Sequence, residues 1–430
     1  MVVNSMSYAT YERYKDSGVD WLGEIPSTWT TRKLKHIVKI YKRIIGHEGI
    51  DVLSITQRGI VVKDITSGAG QLAMDYSKYQ IVEIGDFAMN HMDLLTGYVD
   101  ISKFEGVVSP DYRVFKNESK EINDDYLLKI FQIGYNQKIF YKYGQGVSML
   151  GRWRLPAENF NLFSVPIPST EEQTKIIEFL DQKTAQIDQA IALKQQQIEK
   201  LNEYKQIVIQ NAVTKGLNPN VPMKDSGVEW IGDIPEHWQM KRLKYVLDER
   251  NERSKTGEEP LFMVSQKYGL VVRADYHEKA EVAQSNIDNK IVYKNDLVFN
   301  KLKPHLGVFY KSEIDFKGLV SPDYAVYKVK NYIYDMKYLE ILFRNPKYIE
   351  QFIIRATGIV EGLIRLYTTS LFELPVMIPP KEEQETILNF VKNENDKIDI
   401  SQQNLEKQID RLKEYKNILI NQAVTGKIKI

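Results

Sequence analysis

Ser109-Pro110-Asp111-Tyr112 is the stretch of this chain that comes nearest to an active site. It has the outline of the S-P-P-Y-type motif of adenine methyltransferases, but its third residue is Asp and no glycine-rich cofactor loop precedes it. Pro110-Asp111 with Glu118 and Lys120 also has the outline of a PD…ExK nuclease site. The phrase recurs downstream, where the matching positions are Pro322, Asp323, Lys330 and Tyr332, so the rest of a nuclease set is missing there. VSPDY reads instead as a buried strand and turn, with Pro at the strand edge. The six histidines show no metal-ligand spacing, and no phosphate-binding glycine loop is present. Cysteine is absent, which excludes disulfides, thiolate metal sites and cysteine nucleophiles and suits a reducing cytoplasm. What remains is basic chemistry. Thr31–His47 carries six Lys/Arg and no acid, and Asn136–Arg154 carries four and no acid, with aromatics and glycines interleaved. Such runs suit contact with nucleic acid, a solvated charged face being the plain alternative.

These residues sit in a chain that is written twice. KDSGVDWLGEIPSTW (Lys15–Trp29) and KDSGVEWIGDIPEHW (Lys224–Trp238) share ten of fifteen residues. VVSPDYRVFK at Val107 returns as LVSPDYAVYK at Leu319, PSTEEQTKI at Pro168 as PPKEEQETI at Pro379, and LNEYKQIVIQNAVT at Leu201 as LKEYKNILINQAVT at Leu412. The offset stays between 209 and 212, so a half-length domain has been duplicated. Agreement is thin over residues 39–105, where Gly59/Gly269, Asp86/Asp296, Asn90/Asn300 and Gly97/Gly307 still align. The pattern is one framework with rewritten faces. Drift after duplication is the alternative, and it does not explain why the helical thirds stayed so alike.

Residues 170–214 read as one long helix, with a capping box at Ser169–Gln173 and a stop at Gly216. Apolar residues recur every three and four positions from Ile177 and Leu180 to Ala212, interrupted by Thr184, Lys194 and Lys205. The second copy repeats the seam from Leu388 and Val391 to Ala423, interrupted by Asn395, Gln402 and Lys416, and stops at Gly426. A helix of that length, roughly 65 Å, needs a partner along its seam. The other copy is the obvious one, and antiparallel packing is expected to set the two globular parts at opposite ends of a rod. Those parts, such as residues 30–165, alternate strand-like runs with turns, and Asp124–Tyr143 reads as helical. The fold class is mixed α/β.

At 430 residues, 43% hydrophobic and 27% charged, the chain has room for two or three domains with real cores. No membrane span is expected, since no apolar run of about 18 residues occurs, and the N-terminus has no secretory h-region. Net charge is +1, from 58 Lys/Arg against 57 Asp/Glu. A solitary DNA-binding protein is usually more basic. A partner must then share the phosphate contacts, or the basic residues must gather on one side.

Taken in order, these marks resemble the specificity subunit of type I restriction-modification enzymes. They are W-x-G-x-I-P-x-x-W at Trp21 and Trp230, VSPDY in both halves, P-x-x-x-E-Q at Pro168 and Pro379, and the helix ends NAVTKG and QAVTGK. Each is weak alone; the ordered double set spans nearly the whole chain. The helix-start phrases STEEQ and PKEEQ depart modestly from the family's longer proline-leucine run. The resemblance implies two pseudo-symmetric α/β target-recognition domains separated by a pair of long antiparallel coiled-coil helices. It implies segments 1–168, 169–216, 217–379 and 380–430: first recognition domain, central helix, linker with second recognition domain, and C-terminal helix. Each domain would read one half of a split, asymmetric double-stranded DNA target. The helices would dock two methyltransferase subunits, restriction subunits would join them, and S-adenosylmethionine, ATP and Mg would be held by those partners, none by this chain. The alternatives are a coiled-coil scaffold that binds only protein, and a stand-alone nuclease or methyltransferase.

Given that role, the candidate base readers are polar residues in turns that differ between the copies. Gln57 and Arg58 precede Gly59, as Gln266, Lys267 and Tyr268 precede Gly269. Gln suits adenine and Arg or Lys suits guanine in the major groove. Asn90 and His91 match a second loop with Asn300, Lys301, Lys303 and His305. Gln145, Arg152 and Arg154 form a third element, with Arg365 in the second copy, and Lys42, Arg43, Lys63 and Arg273 complete the set.

Overall fold

The structure, a computed structural model, describes residues 8–65, 75–146, 153–266, 268–276, 285–358 and 364–430. Two compact units share the chain: Met1–Gln195 with Glu406–Ile430, and Gln196–Leu405. Each unit therefore holds one globular section, the start of the long helix that follows it, and the end of the other long helix.

The repeated opening phrase folds into a small hairpin, Tyr14–Asp16 against Glu24–Pro26 and Met223–Asp225 against Asp233–Pro235. Its last tryptophan, Trp29 or Trp238, is fully buried. The indole N–H of each donates to a glutamate at the start of a long helix, Glu172 or Glu383, at 3.0 Å. The next residue explains the E-Q pair. Gln173 is buried, donates to Glu121 O and Pro168 O at 2.8 and 3.0 Å, and accepts Asn123 N at 2.7 Å. Gln384 does the same with Tyr332 O, Pro379 O and Tyr334 N at 2.8, 2.9 and 2.9 Å. A buried amide is stable only when so paired. The expected capping box is half formed: Glu172 N bonds Ser169 Oγ at 3.2 Å, but the Glu172 carboxylate is held by Trp29 and Tyr11 rather than folding back.

The long helices run Thr170–Lys215 and Lys381–Val424. In the first unit Lys416 Nζ meets Asp188 at 2.7 Å and Lys194 Nζ meets Gln408 Oε1 at 2.6 Å. In the second, Lys205 Nζ meets Asp399 at 2.7 Å and Gln402 Nε2 meets Asn202 at 2.7 Å. The partner's number falls as the chain's rises, so the pairing is antiparallel in each unit, with the seam residues Lys194, Lys205, Gln402 and Lys416 bonded across it. Thr184 Oγ1 instead bonds Asp181 O of its own helix, and Asn395 Oδ1 is buried without a partner among the described residues. Each helix ends beneath a tryptophan phrase. Gly426 (φ 70°) and Gly216 (φ 75°) turn the chain in the left-handed region. A Cβ on Gly426 would come within 2.4 Å of the Pro26 ring, and one on Gly216 within 2.9 Å of the Glu383 carboxylate, in addition to the strain of the left-handed backbone.

The globular section of each unit is closed by pairing its entering and leaving strands, Thr30–Lys33 with Ser164–Ile167 and Gln239–Arg242 with Pro375–Ile378. Between them lies a four-stranded antiparallel sheet. Its order is Val38–Tyr41, Arg113–Asn117, Phe87–Met89, Val99–Ile101 in one unit and Leu247–Glu249, Tyr324–Val329, Leu297–Asn300, Phe309–Lys311 in the other. One sheet face packs on the helices, with Phe115, Tyr126 and Phe131 or Tyr327, Tyr338 and Phe352 in the core. The opposite face packs on a hairpin. The helix expected over Asp124–Tyr143 stops at Asn136, because Lys138 takes the left-handed conformation (φ 57°), and a 3-10 turn at Phe140–Tyr143 follows. Its counterpart splits into Lys337–Leu342 and Pro346–Arg355, the second capped by Asn345. No described helix is long and apolar enough to cross a membrane.

Candidate nucleic-acid interface

The hairpin of the first unit is Leu53–Thr56 with Gly59–Val62. Leu53, Ile55 and Ile60 face inward onto Val82, Ala88, Val108 and Val114. The tip is fixed by Thr56, whose Oγ1 accepts Arg58 N at 3.1 Å and donates to Gly59 O at 2.9 Å. Gly59 is at φ 104°, and a Cβ there would strike Asp100 Oδ2 at 2.5 Å. Gln57 and Arg58 are left exposed at the tip, over a cleft of about 780 Å3 whose walls include Tyr98, Gln132 and Asn136. In the second unit Phe262–Ser265 pairs with Gly269–Val272, seated on Val292, Val298 and Val326. Gln266 and Tyr268 are exposed at its tip, and the Tyr268 ring lies 4.6 Å from that of Tyr276. Lys267 lies outside the described residues.

The second element follows the adjacent strand. Asn90 Oδ1 accepts Met92 N at 3.3 Å, and Asn300 Oδ1 accepts Leu302 N at 3.0 Å. Asn90 N donates to Tyr98 O at 2.9 Å, which brings this loop beside the cleft under Gln57 and Arg58. The third element crosses here. Gln145 and Arg154 pair through their backbones, as Thr357 and Arg365 do, and the following residues, Leu155 and Leu366, donate to His91 O and Lys301 O at 2.9 and 3.0 Å. Gln145, Arg154, Lys303 and His305 are exposed. Arg365 Nη2 donates to Asp323 Oδ1 at 2.7 Å. Arg152 lies outside the described residues.

The electrostatics separate these groups. Burial, then the charges of Arg113 and Arg154, pull the His91 imidazole down to about 3, so it is neutral at physiological pH and presents no cation. Burial, then the neighbouring Lys290 ammonium, lowers Lys301. Arg113 was not among the candidates. It is 5% exposed, its Nη2 donates to Leu155 O at 3.0 Å, and its guanidinium lies 4.5 Å from the Phe160 ring centroid. Burial brings it down to about 10. The available signal was the one change inside an otherwise repeated phrase, SPDYR against SPDYA.

The remaining candidates stand apart from the loops. Lys42 is exposed, but Arg43 is ion-paired to the buried Asp86 and to Glu83 at 2.8 Å. Arg250 holds Asp296 in the same way, at 2.7 and 3.0 Å. Lys63 N and Arg273 N bond Val52 O and Leu261 O at 2.7 and 2.8 Å, at the end of each hairpin remote from its tip. The nuclease outline fails on geometry. Asp111 and Glu118 flank the strand Arg113–Asn117, so they lie about 20 Å apart, too far to share a metal. Glu118 accepts Tyr41 OH at 2.7 Å. Among the described residues, no three His, Cys, Asp or Glu form a metal-binding group.

Two stretches, residues 26–203 and 235–411, match the family described as the type I restriction modification DNA specificity domain. The chain belongs to that family. It is a specificity subunit with two DNA-specificity domains and is non-catalytic on its own. It is 23% identical over 440 residues to a specificity subunit assigned to the type I restriction enzyme MjaX of Methanocaldococcus jannaschii, covering 95% of this chain and 96% of that one. It is 22% identical over 373 residues to the MjaVIII specificity subunit of the same organism, covering 82% and 83%. Its fold is that of the HsdS subunit from Thermoanaerobacter tengcongensis (TM-score 0.51, 13% identity, 94% and 98% covered). It is also that of a chain from a study of assembly and conformational transition in a type I R-M system (TM-score 0.63, 13% identity, 93% and 98% covered).

Proposed function

We propose that each unit of this specificity chain reads one half of a split, asymmetric double-stranded DNA target. The hairpin tip, the strand-end loop and the crossing loop would supply the side chains. Gln57, Arg58, Asn90, Gln145, Arg152 and Arg154 would serve one half-site; Gln266, Lys267, Tyr268, Asn300, Lys303 and His305 would serve the other. One observation carries the reading: the two units repeat the same helix clasp, sheet order and hairpin, while the exposed side chains at matching hairpin tips differ. A duplicated scaffold with dissimilar tips reads two dissimilar sequences. The paired helices would dock two methyltransferase subunits, with restriction subunits beyond them. Those partners would hold S-adenosylmethionine, ATP and Mg, and the complex would work in the cytoplasm. Shared phosphate contacts account for a DNA reader with a net charge of only +1. The segments 1–168, 169–216, 217–379 and 380–430 would divide recognition from docking.

The test is to express the chain with the methyltransferase subunits of its system in an unmethylated host and map methylated adenines across the genome. A two-part, asymmetric motif with an unspecified gap is expected. A palindromic motif, or none together with DNA binding indifferent to sequence, would contradict the reading and favour the scaffold.

A further inference from the structure

The third element is anchored differently at its root in the two units. Its backbone bridge, Gln145 with Arg154 or Thr357 with Arg365, is common to both, and so is the bond from the next residue to the strand-end loop. The other fastening is not. In the first unit it is Arg113, reaching from the strand beneath to Leu155 O at 3.0 Å while lying over Phe160. That guanidinium is 5% exposed and has no carboxylate partner among the described residues. Its Nη1 and the nearby His91 Nδ1 are both buried without a hydrogen-bond partner among the described residues. A cation so far from water is costly, and an apolar side chain would fill the same place at lower cost. The second unit has Ala325 at this position, fully buried and with nothing to donate. There Asp323, on the exposed turn of the repeated phrase, accepts from Arg365 at 2.7 Å instead. One loop root is thus held from beneath, which leaves Arg154 exposed with no ion pair among the described residues. The other is held from outside, by a bond that occupies Arg365.

We infer that Arg113 is a positioning residue that sets how the first half-site is read, by fixing the root of the Gln145–Arg154 loop, and that Asp323 has the same role for the second. This rests on the proposal that each unit reads its own half-site. It extends that proposal by naming two residues that act on specificity without being base readers. It also divides the arginines: Arg154 contacts DNA, whereas Arg365 aims its loop.

Chains carrying Arg113→Met, Arg154→Ala or Asp323→Asn, each assembled with the methyltransferase subunits, are compared with wild type by genome-wide mapping of methylated adenines. Arg113→Met is expected to relax the first half-site at the same base positions as Arg154→Ala, with about a tenfold loss of preference at those positions. The second half-site stays as it was. Asp323→Asn relaxes the second half-site alone. An unchanged first half-site in Arg113→Met, or relaxation at positions other than those of Arg154→Ala, overturns the role of Arg113. Equal weakening of both half-sites marks a merely structural residue and overturns it too. Should Arg113→Met fail to fold, Asp323→Asn decides, because its side chain is exposed: an unchanged second half-site overturns the inference. A wild-type chain without a two-part motif would instead defeat the underlying reading.

Discussion

Trp29 with Glu172 and Trp238 with Glu383 are the same bond made twice at 3.0 Å, and Gln173 and Gln384 each tie three equivalent backbone groups. Arg43 and Arg250 also do one job, holding Asp86 and Asp296, but from different places. Arg43 lies two residues beyond the strand Val38–Tyr41, whereas Arg250 directly follows Leu247–Glu249. At the loop roots even the residue type differs, Arg113 in one unit and Asp323 in the other. Going outward from the helix clasp to the tips, the two units first share residues, then share geometry, and finally share only the task. A buried amide with three fixed partners has one solution, while a charged side chain can reach one carboxylate from several positions. The surface is therefore free to diverge on a scaffold that is not.

The largest expected effect tests the middle layer. Asp86→Ala and Asp296→Ala each remove a buried carboxylate that accepts from an arginine and from a backbone N–H. Losing two such charge-assisted bonds costs about 3–5 kcal/mol, although each arginine keeps a second acid, Glu83 or Glu252. Denaturant unfolding should show similar losses for both, and a large loss in one unit with none in the other would break the equivalence. Next come Gln173→Leu and Gln384→Leu, which leave three backbone groups unpaired in each unit. A loss of about 3 kcal/mol is expected for either, read from denaturant midpoints at unchanged slope.

A third prediction separates the units by pH. His91 sits at about 3 in the folded chain against an ordinary 6.5, so between those values the unfolded chain takes up a proton that the folded chain refuses. That part of the stability is present above pH 6.5 and is lost as pH falls toward 3. The second unit has a lysine, Lys301, and no imidazole at the matching position. His91→Gln should flatten the acid slope of the transition, and an unchanged slope would show that the imidazole does not contribute. The smallest effect belongs to the seam. Lys416→Ala and Lys205→Ala remove part-exposed pairs and should cost under about 1 kcal/mol each, weakening further with salt. Thermal melts at low and high salt would show it.

Much of this layering was legible in the sequence. The duplication, the long helices with their glycine stops and the seam with its lysines followed from spacing alone, because helix periodicity and glycine geometry are local. Gly59 and Gly269 marked the hairpin tips for the same reason. Four features were not local. Arg113 looks like any basic surface residue until the fold buries it on Phe160. Arg43 sits in a basic run, where nothing signals that a carboxylate 43 residues away claims it. The end of each long helix lies under a tryptophan phrase, and in the first unit Lys427 reaches Leu22 O across 405 residues of sequence. Likewise, Lys138 turns left-handed inside what reads as one continuous helix. Tertiary packing decides such points, and spacing carries no trace of it.

The central claim, that each unit reads its own half of the target, has one direct test. Residues 39–150 are exchanged for the matching section of a family member with a different target, the chain is assembled with its methyltransferase subunits, and methylated adenines are mapped. The account predicts that one half-site changes to that of the donor while the other half-site stays as it was. A motif changed in both halves, or in neither, would contradict it.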